Sequence, residues 1–187
     1  SGPARPSPPS SAGPEPSCGC RPSAWGPAGA YDVVMCRHVL AHNGGRERAI
    51  VAHLASLARP GGALYLVDVD AAGLWTRPGD PDLADLQERY LQWHRRRGND
   101  LSVGRMLGLL LEEVGATVEV FRTGGPVSRV PAGLRPPPWA ARDALRDAGL
   151  ADDADVARWD AAFRRTDARW PRPWAAMPVC VAVGRLP

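Results

Sequence analysis

Lysine is absent from this chain; all 23 of its basic side chains are arginine. Isoleucine occurs once, at Ile50, while Arg, Ala, Gly and Pro abound. The scarce residues have AT-rich codons and the abundant ones GC-rich codons. The arginine content therefore reports a GC-rich genome and does not by itself point to nucleic acid. Acidic residues number 20, leaving a mild formal net charge of +3. The runs Arg95-Arg96-Arg97 and Arg164-Arg165 have two readings, phosphate contacts or solvated helix faces and ends. Acidic residues interspersed nearby favour the second, so nucleic acid is not an expected partner.

Long hydrophobic runs are also missing. None approaches the ~20 residues needed to span a bilayer, and the N-terminus shows no apolar core of a signal peptide. The expectation is a cytoplasmic protein without a membrane partner. Cysteine is scarce, with four in 187 residues. Cys36 and Cys180 sit in apolar, strand-like runs, where Cys packs as a small hydrophobe. Cys18 and Cys20 form a lone C-x-C without the further ligands a metal site needs. His38 and His42 are four apart and would share a helical face, but no third ligand follows and there is no H-E-x-x-H. No metal is expected.

What is present divides the chain in two. Residues 1–30 are almost entirely Pro, Ser, Gly and Ala, with no Val, Ile, Leu, Met or Phe and one large apolar residue, Trp25. Such a segment cannot offset the entropy of ordering its backbone, and it is expected to be a disordered leader. The character changes at Tyr31, and residues 31–187 suffice for one domain of ordinary size.

In that part "YDVVMC" is an apolar run suited to a buried strand. "RERAIVAHLASLA" places Ala49, Ile50, His53, Leu54 and Leu57 on one helical face, and "RPGG" ends that helix in a turn. "ALYLVDVD" is the next strand, completing a βαβ unit with parallel strands. "PDLADLQERYLQWHRRRG" is a helix with acidic residues in its first turn and arginines in its last, as the helix dipole prefers. "SVGRMLGLLLEEVGA" is another, with Ser102 as a plausible N-cap and Gly115 as a plausible C-cap. "TVEVFRTG" alternates as a strand, "PPWAARDALRDAGL" and "DADVARWDAAFRRTDARW" are amphipathic helices, and "MPVCVAVGRLP" is a closing strand. The order predicts an α/β domain whose sheet is covered on both faces. About four strands are visible, fewer than a complete doubly wound sheet carries.

These residues resemble the second half of a class I S-adenosylmethionine-dependent methyltransferase. Tyr31, Asp32, Val34, Leu40 and His42 match the element (F/Y)-D-x-V-x-x-x-x-x-L-x-H of that family. Leu57, Arg59, Pro60, Gly61, Gly62, Leu64 and Leu66 match the L-x-P-G-G-x-L-x-(L/V) that follows it. The resemblance implies an incomplete Rossmann-like three-layer sandwich with equivalents of the family's fourth to seventh strands, the last one antiparallel. It implies methyl transfer from S-adenosylmethionine to a small-molecule acceptor.

Ligands of open α/β sheets bind beyond the carboxyl ends of the strands. Carried over residue by residue, the resemblance makes Cys36, Arg37 and His38 cofactor-side residues and His42 the catalytic candidate one helical turn further on. It puts Asp68, Tyr90, Trp93, Asn99 and Arg105 on the acceptor side. Each has a plainer reading: His42 as a packing or capping residue, Cys36 as core, Asp68 as a loop cap. Tyr90 and Trp93 can equally be core, and Arg105 can equally be the partner of a local carboxylate.

The family's glycine-rich cofactor turn, its ribose-binding carboxylate and its adenine-side acid have no counterpart in residues 1–30. Two origins fit: a truncated or frame-shifted chain, or a real, shortened one with a Pro-rich leader. Either way the chain is expected to be impaired alone, and "YDVVMC" should present an unpaired apolar edge prone to self-association. The alternative to an enzyme is a non-catalytic α/β interaction module or a degenerate partner subunit.

Overall fold

The computed structural model describes residues 27–187. The expected leader lies outside the described residues except for its last four, and two of those are tied down. The amide of Gly29 donates to the carbonyl of Ser56, and that of Ala30 to Leu57.

The main sheet has four strands: β1 (Tyr31–Arg37), β2 (Ala58–Val69), β4 (Thr117–Gly124) and β7 (Val179–Arg185). Their order is β1-β2-β7-β4. The pair β1–β2 is parallel, whereas β7 runs antiparallel to both β2 and β4. The crossover between β1 and β2 carries helix α1 (Glu47–Leu57). Arg59–Gly62 loop out of the ladder, so that Tyr31 faces Ala58 while Val33 already faces Ala63. Gly61 has φ of +70°, the left-handed region that favours glycine at such a turn.

Alternation along the strands decides which face is buried. Val34, Cys36, Leu64, Leu66, Cys180 and Ala182 point to one side and are all buried there. On that side they share a core with Val51, Leu54 and Leu57 of α1 and with Leu107, Leu110 and Leu111 of α3 (Leu107–Glu113). Each fully buried leucine contributes roughly 1.5–3 kcal/mol. The inward stripe of α1 differs from the expected one by about one position. Val51 is inside, whereas Ala49 and His53 are exposed, because the larger Val51 gains more from burial than alanine or a polar ring.

The opposite face is the open one. Tyr31, Val33 and Met35 are exposed, Met35 at 62%, and among the described residues β1 pairs only with β2. The sheet, expected to be covered on both faces, is open on one face at β1 among the described residues; the unpaired edge of β1 is the one expected of an incomplete sheet.

Between the strands lies a helical cap: α2 (Pro81–Arg96), α4 (Pro137–Ala140), α5 (Arg142–Asp147) and α6 (Asp153–Ala168). It has its own core of Leu86, Leu145, Leu150, Trp159 and Phe163. Trp159 is wholly buried, and its indole N–H donates to Asp85 at 3.0 Å. Arginines stitch α2 to α6 around it. Arg89 reaches Asp85 and Asp155, Arg158 reaches Asp82, Asp85 and Asp155, and Arg165 reaches Asp80 and Asp82. Hydrogen bonds from Arg158 and then Arg165 hold the Asp82 carboxyl below its ordinary range.

A second sheet of three short strands, β3 (Trp75–Arg77), β5 (Ser128–Arg129) and β6 (Trp174–Ala176), was not expected. These strands are two or three residues long and flanked by prolines, so no alternation could develop. Ser102 stands at the N-cap position of a 3-10 turn (Val103–Met106) that leads into α3, but without a side-chain capping bond: its hydroxyl accepts from the amide of Ala72 instead. Gly115 does close α3, with φ of +78°.

The docking of α6 on α2 rests on Trp159. Trp159→Ala should lower unfolding free energy by about 3–5 kcal/mol, and Trp159→Phe by about 1 kcal/mol through the lost bond to Asp85. Urea denaturation followed by circular dichroism measures both. A Trp159→Ala protein as stable as the parent would show that this contact does not hold the cap.

Candidate functional site

The parallel register brings the ends of β1 and β2 side by side, with Arg37 opposite Val67. The chain leaves β1 through His38, whose φ of +53° is unusual for a residue with a β-carbon and marks a backbone held by its surroundings. A 3-10 turn follows at Leu40–His42. Its first amides are caught by Asp68: Leu40 N–H donates to Oδ2 at 3.0 Å and Ala41 N–H to the same oxygen at 3.3 Å. The amide of Val69 donates to Oδ1 at 2.9 Å, and His38 Nδ1 lies 4.0 Å from that oxygen.

Asp68 is 1% exposed. A carboxylate so buried and so fully engaged fixes the turn that carries His42, the loop-capping role that the plainer reading named. Cys36 is also buried, and burial first, then the Asp68 charge, pushes its thiol pKa up. It is a core thiol rather than a nucleophile. Arg37, His38 and His42 are exposed around this edge.

A second group gathers about a residue that the sequence reading passed over. His94, near the end of α2, is buried, with its ring 5.6 Å from that of His42, 4.6 Å from Tyr90 and 4.8 Å from Trp93. Its Nδ1 lies 3.3 Å from Asn99 Nδ2, an amide donor, which makes Nδ1 the acceptor and places the ring proton on Nε2. That Nε2 is buried without a hydrogen-bond partner. Asn99 Oδ1 accepts from the amide of Gly44, tying the loop after His42 to the end of α2. A β-carbon at Gly44 would overlap the carbonyl of Gly98, so the close approach of these two loops requires glycine there.

Of the expected residues, the structure thus brings His42, Tyr90, Trp93 and Asn99 together around His94. Tyr90 packs against the main core and Trp93 against the cap core, where Arg97 also stacks on the Trp93 ring at 4.6 Å. Arg105 is not in this group. Its Nε donates to Asp70 Oδ2 at 2.8 Å, the local-carboxylate partner that the plainer reading named. His94 had a signal in the sequence, since it stands four residues after Tyr90 and so on the same helical face.

The arginine clusters are engaged locally. Arg95 pairs with Glu88, Arg164 with Asp160, and Arg165 with Asp80 and Asp82. Among the described residues no group of three His, Cys, Asp or Glu stands close enough to hold a metal ion, and no helix is long and apolar enough to cross a membrane.

Four strands ordered with an antiparallel insertion, and a polar edge at the carboxyl ends of the parallel pair, define a Rossmann-like α/β domain. A family described as a methyltransferase domain matches residues 6–119, more than half of the chain. The chain belongs to this methyltransferase-domain family.

No curated protein matches the sequence. Solved structures with a similar arrangement include a candidate methyltransferase of Bacillus halodurans, at 16% identity and a TM-score of 0.46. The YcgJ protein of Bacillus subtilis follows at 13% and 0.44. Phosphoethanolamine N-methyltransferase 2 of Haemonchus contortus, in complex with phosphomonomethylethanolamine and S-adenosylhomocysteine, stands at 11% and 0.40. Each alignment covers 86% of this chain, which spans 66%, 65% and 34% of the three proteins respectively. Likeness at these identities is one of fold.

The residues fit S-adenosylmethionine in part. The carboxyl end of β1 is accessible at Arg37 and His38, the backbone that the resemblance puts beside the methionine portion. No E/D-x-G-x-G-x-G turn follows a strand among the described residues. The Pro60-Gly61-Gly62 turn sits at the opposite, amino end of β2.

His94 also sets a pH dependence. Burial first, then the charges of His42 and Arg97, hold its pKa below the ordinary value of 6.5. The unfolded chain takes up a proton near that value and the folded one resists it. Stability is therefore fully present above about pH 6.5 and declines as pH falls towards the folded pKa, where the loss levels off. The melting temperature of the parent should drop more between about pH 7.5 and about pH 5.5 than that of His94→Gln. Parallel curves would show that His94 is not buried in its neutral form.

Proposed function

We propose that the chain serves S-adenosylmethionine-dependent methyl transfer to a small-molecule acceptor, as a cytoplasmic protein. The observation that supports this most is the strand order β1-β2-β7-β4 with β7 antiparallel, in a chain whose sequence matches a methyltransferase domain. The expected fourth-to-seventh-strand half of such a domain has this connectivity.

In this reading the backbone of Cys36, Arg37 and His38 lines the methionine portion of the cofactor. Bound there, the sulfonium supplies an electrophilic methyl group. The chain's own contribution is positioning and proton transfer. Asp68 locks the 3-10 turn, so His42 stands at a fixed place on the edge. Its imidazole accepts the proton that an acceptor hydroxyl, thiol or ammonium must lose. His94 and Asn99 act through His42 and its loop as positioning residues. Asp70 holds Arg105 at the same end of the sheet.

Titration calorimetry with S-adenosylmethionine tests the cofactor half, with Kd on the order of micromolar expected. His42→Ala should leave that affinity unchanged while slowing release of S-adenosylhomocysteine by about 100-fold or more. No heat of binding at about 1 mM cofactor would remove the enzymatic reading for this chain.

One observation favours a further reading. Tyr31, Val33 and Met35 stand exposed on a strand with an unpaired edge among the described residues. Such an edge invites pairing, and a second copy of this chain is the proposed partner. Sedimentation should show concentration-dependent association that Met35→Glu weakens. A cooperative, high-temperature unfolding transition of a dilute monomer would speak against it.

A further inference from the structure

A pocket of about 420 Å³ opens between the small sheet and the cap, and no residue of the edge just described lines it. Its walls include Leu74 and Trp75 at the start of the small sheet, Leu83 and Leu86 of α2, Leu134 of the loop before α4, and Phe163 of α6. Close-packed interiors leave few voids larger than a water molecule, so a space of this size between two sets of apolar side chains is not a packing defect. It lies within the range of small-molecule sites.

Charge decides what it admits. Three carboxylates belong to the wall, and each already has an arginine: Asp80 meets Arg165 at 2.9 Å, Glu88 meets Arg95 at 2.6 Å, and Asp167 meets Arg135 at 2.9 Å. The one wall arginine, Arg77, is exposed and donates to the carbonyl of Thr76. A cationic ligand would find every carboxylate neutralised. An anionic one would have to shed its hydration among apolar side chains, at a large desolvation cost, with the one wall cation at the solvent-exposed side.

Gln87 donates through Nε2 to the carbonyl of Ala71, which leaves its Oε1 as an acceptor in the wall. An apolar cavity of about 150 Å³ holds benzene; nearly three times that volume suits a molecule of two or three rings. The indole of Trp75 and the ring of Phe163 supply aromatic surface for such a molecule.

We propose that this pocket binds an uncharged aromatic small molecule. Resting on the methyl-transfer reading, it holds the apolar body of the acceptor. The pocket begins just beyond the end of β2 along the chain, since Ala72 and Leu74 in its wall follow Asp70.

Fluorescence titration of the full chain with neutral N-phenyl-1-naphthylamine tests this. Saturable binding of one probe per chain is expected, with naphthoate competing at least about tenfold more weakly than neutral naphthol. Leu74→Asp and Leu134→Asp, both at exposed positions, should each weaken the probe at least about tenfold, while Leu109→Asp, exposed on α3 and outside the pocket wall, leaves it unchanged. Ala84→Trp fills the pocket from an exposed helix position and should abolish binding without disturbing the core.

Probe binding that survives all three pocket variants, or that is lost in Leu109→Asp, overturns the proposal, as does equal affinity for naphthoate. The titration needs no cofactor, so its outcome is separate from that of the enzymatic reading. A chain that binds the probe but neither binds S-adenosylmethionine nor transfers methyl keeps the pocket and loses the enzyme. One that methylates acceptors with kcat/KM unaltered in Leu134→Asp keeps the enzyme and loses the pocket as the acceptor site.

Discussion

The last strand of the chain holds the main sheet together. β7 lies between β2 and β4 and pairs with both along its whole length, from Val179 to Arg185. Its inward residues, Cys180 and Ala182, are small and buried, and Gly184 lies so close to Leu111 and Ala116 that a side chain there would crowd them. Small residues on this strand let α3 settle directly on the sheet. Without β7, β4 would have no partner in the main sheet and α3 no floor. The segment at 117–124 is mostly exposed even with that pairing, so its place depends on backbone hydrogen bonds to β7 more than on its own burial.

What the sequence revealed of this fold follows from which signals are local. The four main strands could be read because three are apolar runs and the fourth, at 117–124, alternates between apolar and polar residues. Their order could be read only through the resemblance, since nothing in "VCVAVGR" itself says that it inserts antiparallel between two earlier strands. The inward face of α1 was read one position off, because Ala49 and Val51 are both apolar and only packing against Leu64 and Leu66 chooses between them. The small sheet could not be read at all: two- and three-residue strands carry no period.

The candidate site shows the same division. Asp68, at the end of a strand, was visible as a polar residue at the ligand edge, but its role as a cap depends on amides 27 and 28 residues away. Arg105 and Asp70 are 35 residues apart, and only the folded chain makes them a pair. His94 was hidden by its neighbours in sequence. Three arginines follow it, so the stretch reads as a solvated helix end, while three-dimensional packing turns the histidine inward onto Tyr90 and Trp93. Buried polar residues that serve one another across loops leave no spacing for a sequence reader to find.

Helix α2 connects the two parts of the molecule because it is apolar on two sides. Tyr90 and Leu91 belong with the main core, and Leu86 and Trp93 with the cap core. The seven-residue step from Leu86 to Trp93 keeps one stripe facing α5 and α6, and His94 continues the other towards the 3-10 turn at Leu40–His42. The helix also supplies Leu83 and Leu86 to the pocket wall. A rotation of α2 that opened the pocket would therefore move His94 against His42 and strain the Asn99–Gly44 contact behind it. Packed cores resist such shifts, and the arginine ladder between α2 and α6 adds to that resistance. The strand edge and the pocket are thus held at a fixed offset by one rigid element, which is the geometric condition for a ligand seated in the second to present a reactive atom at the first.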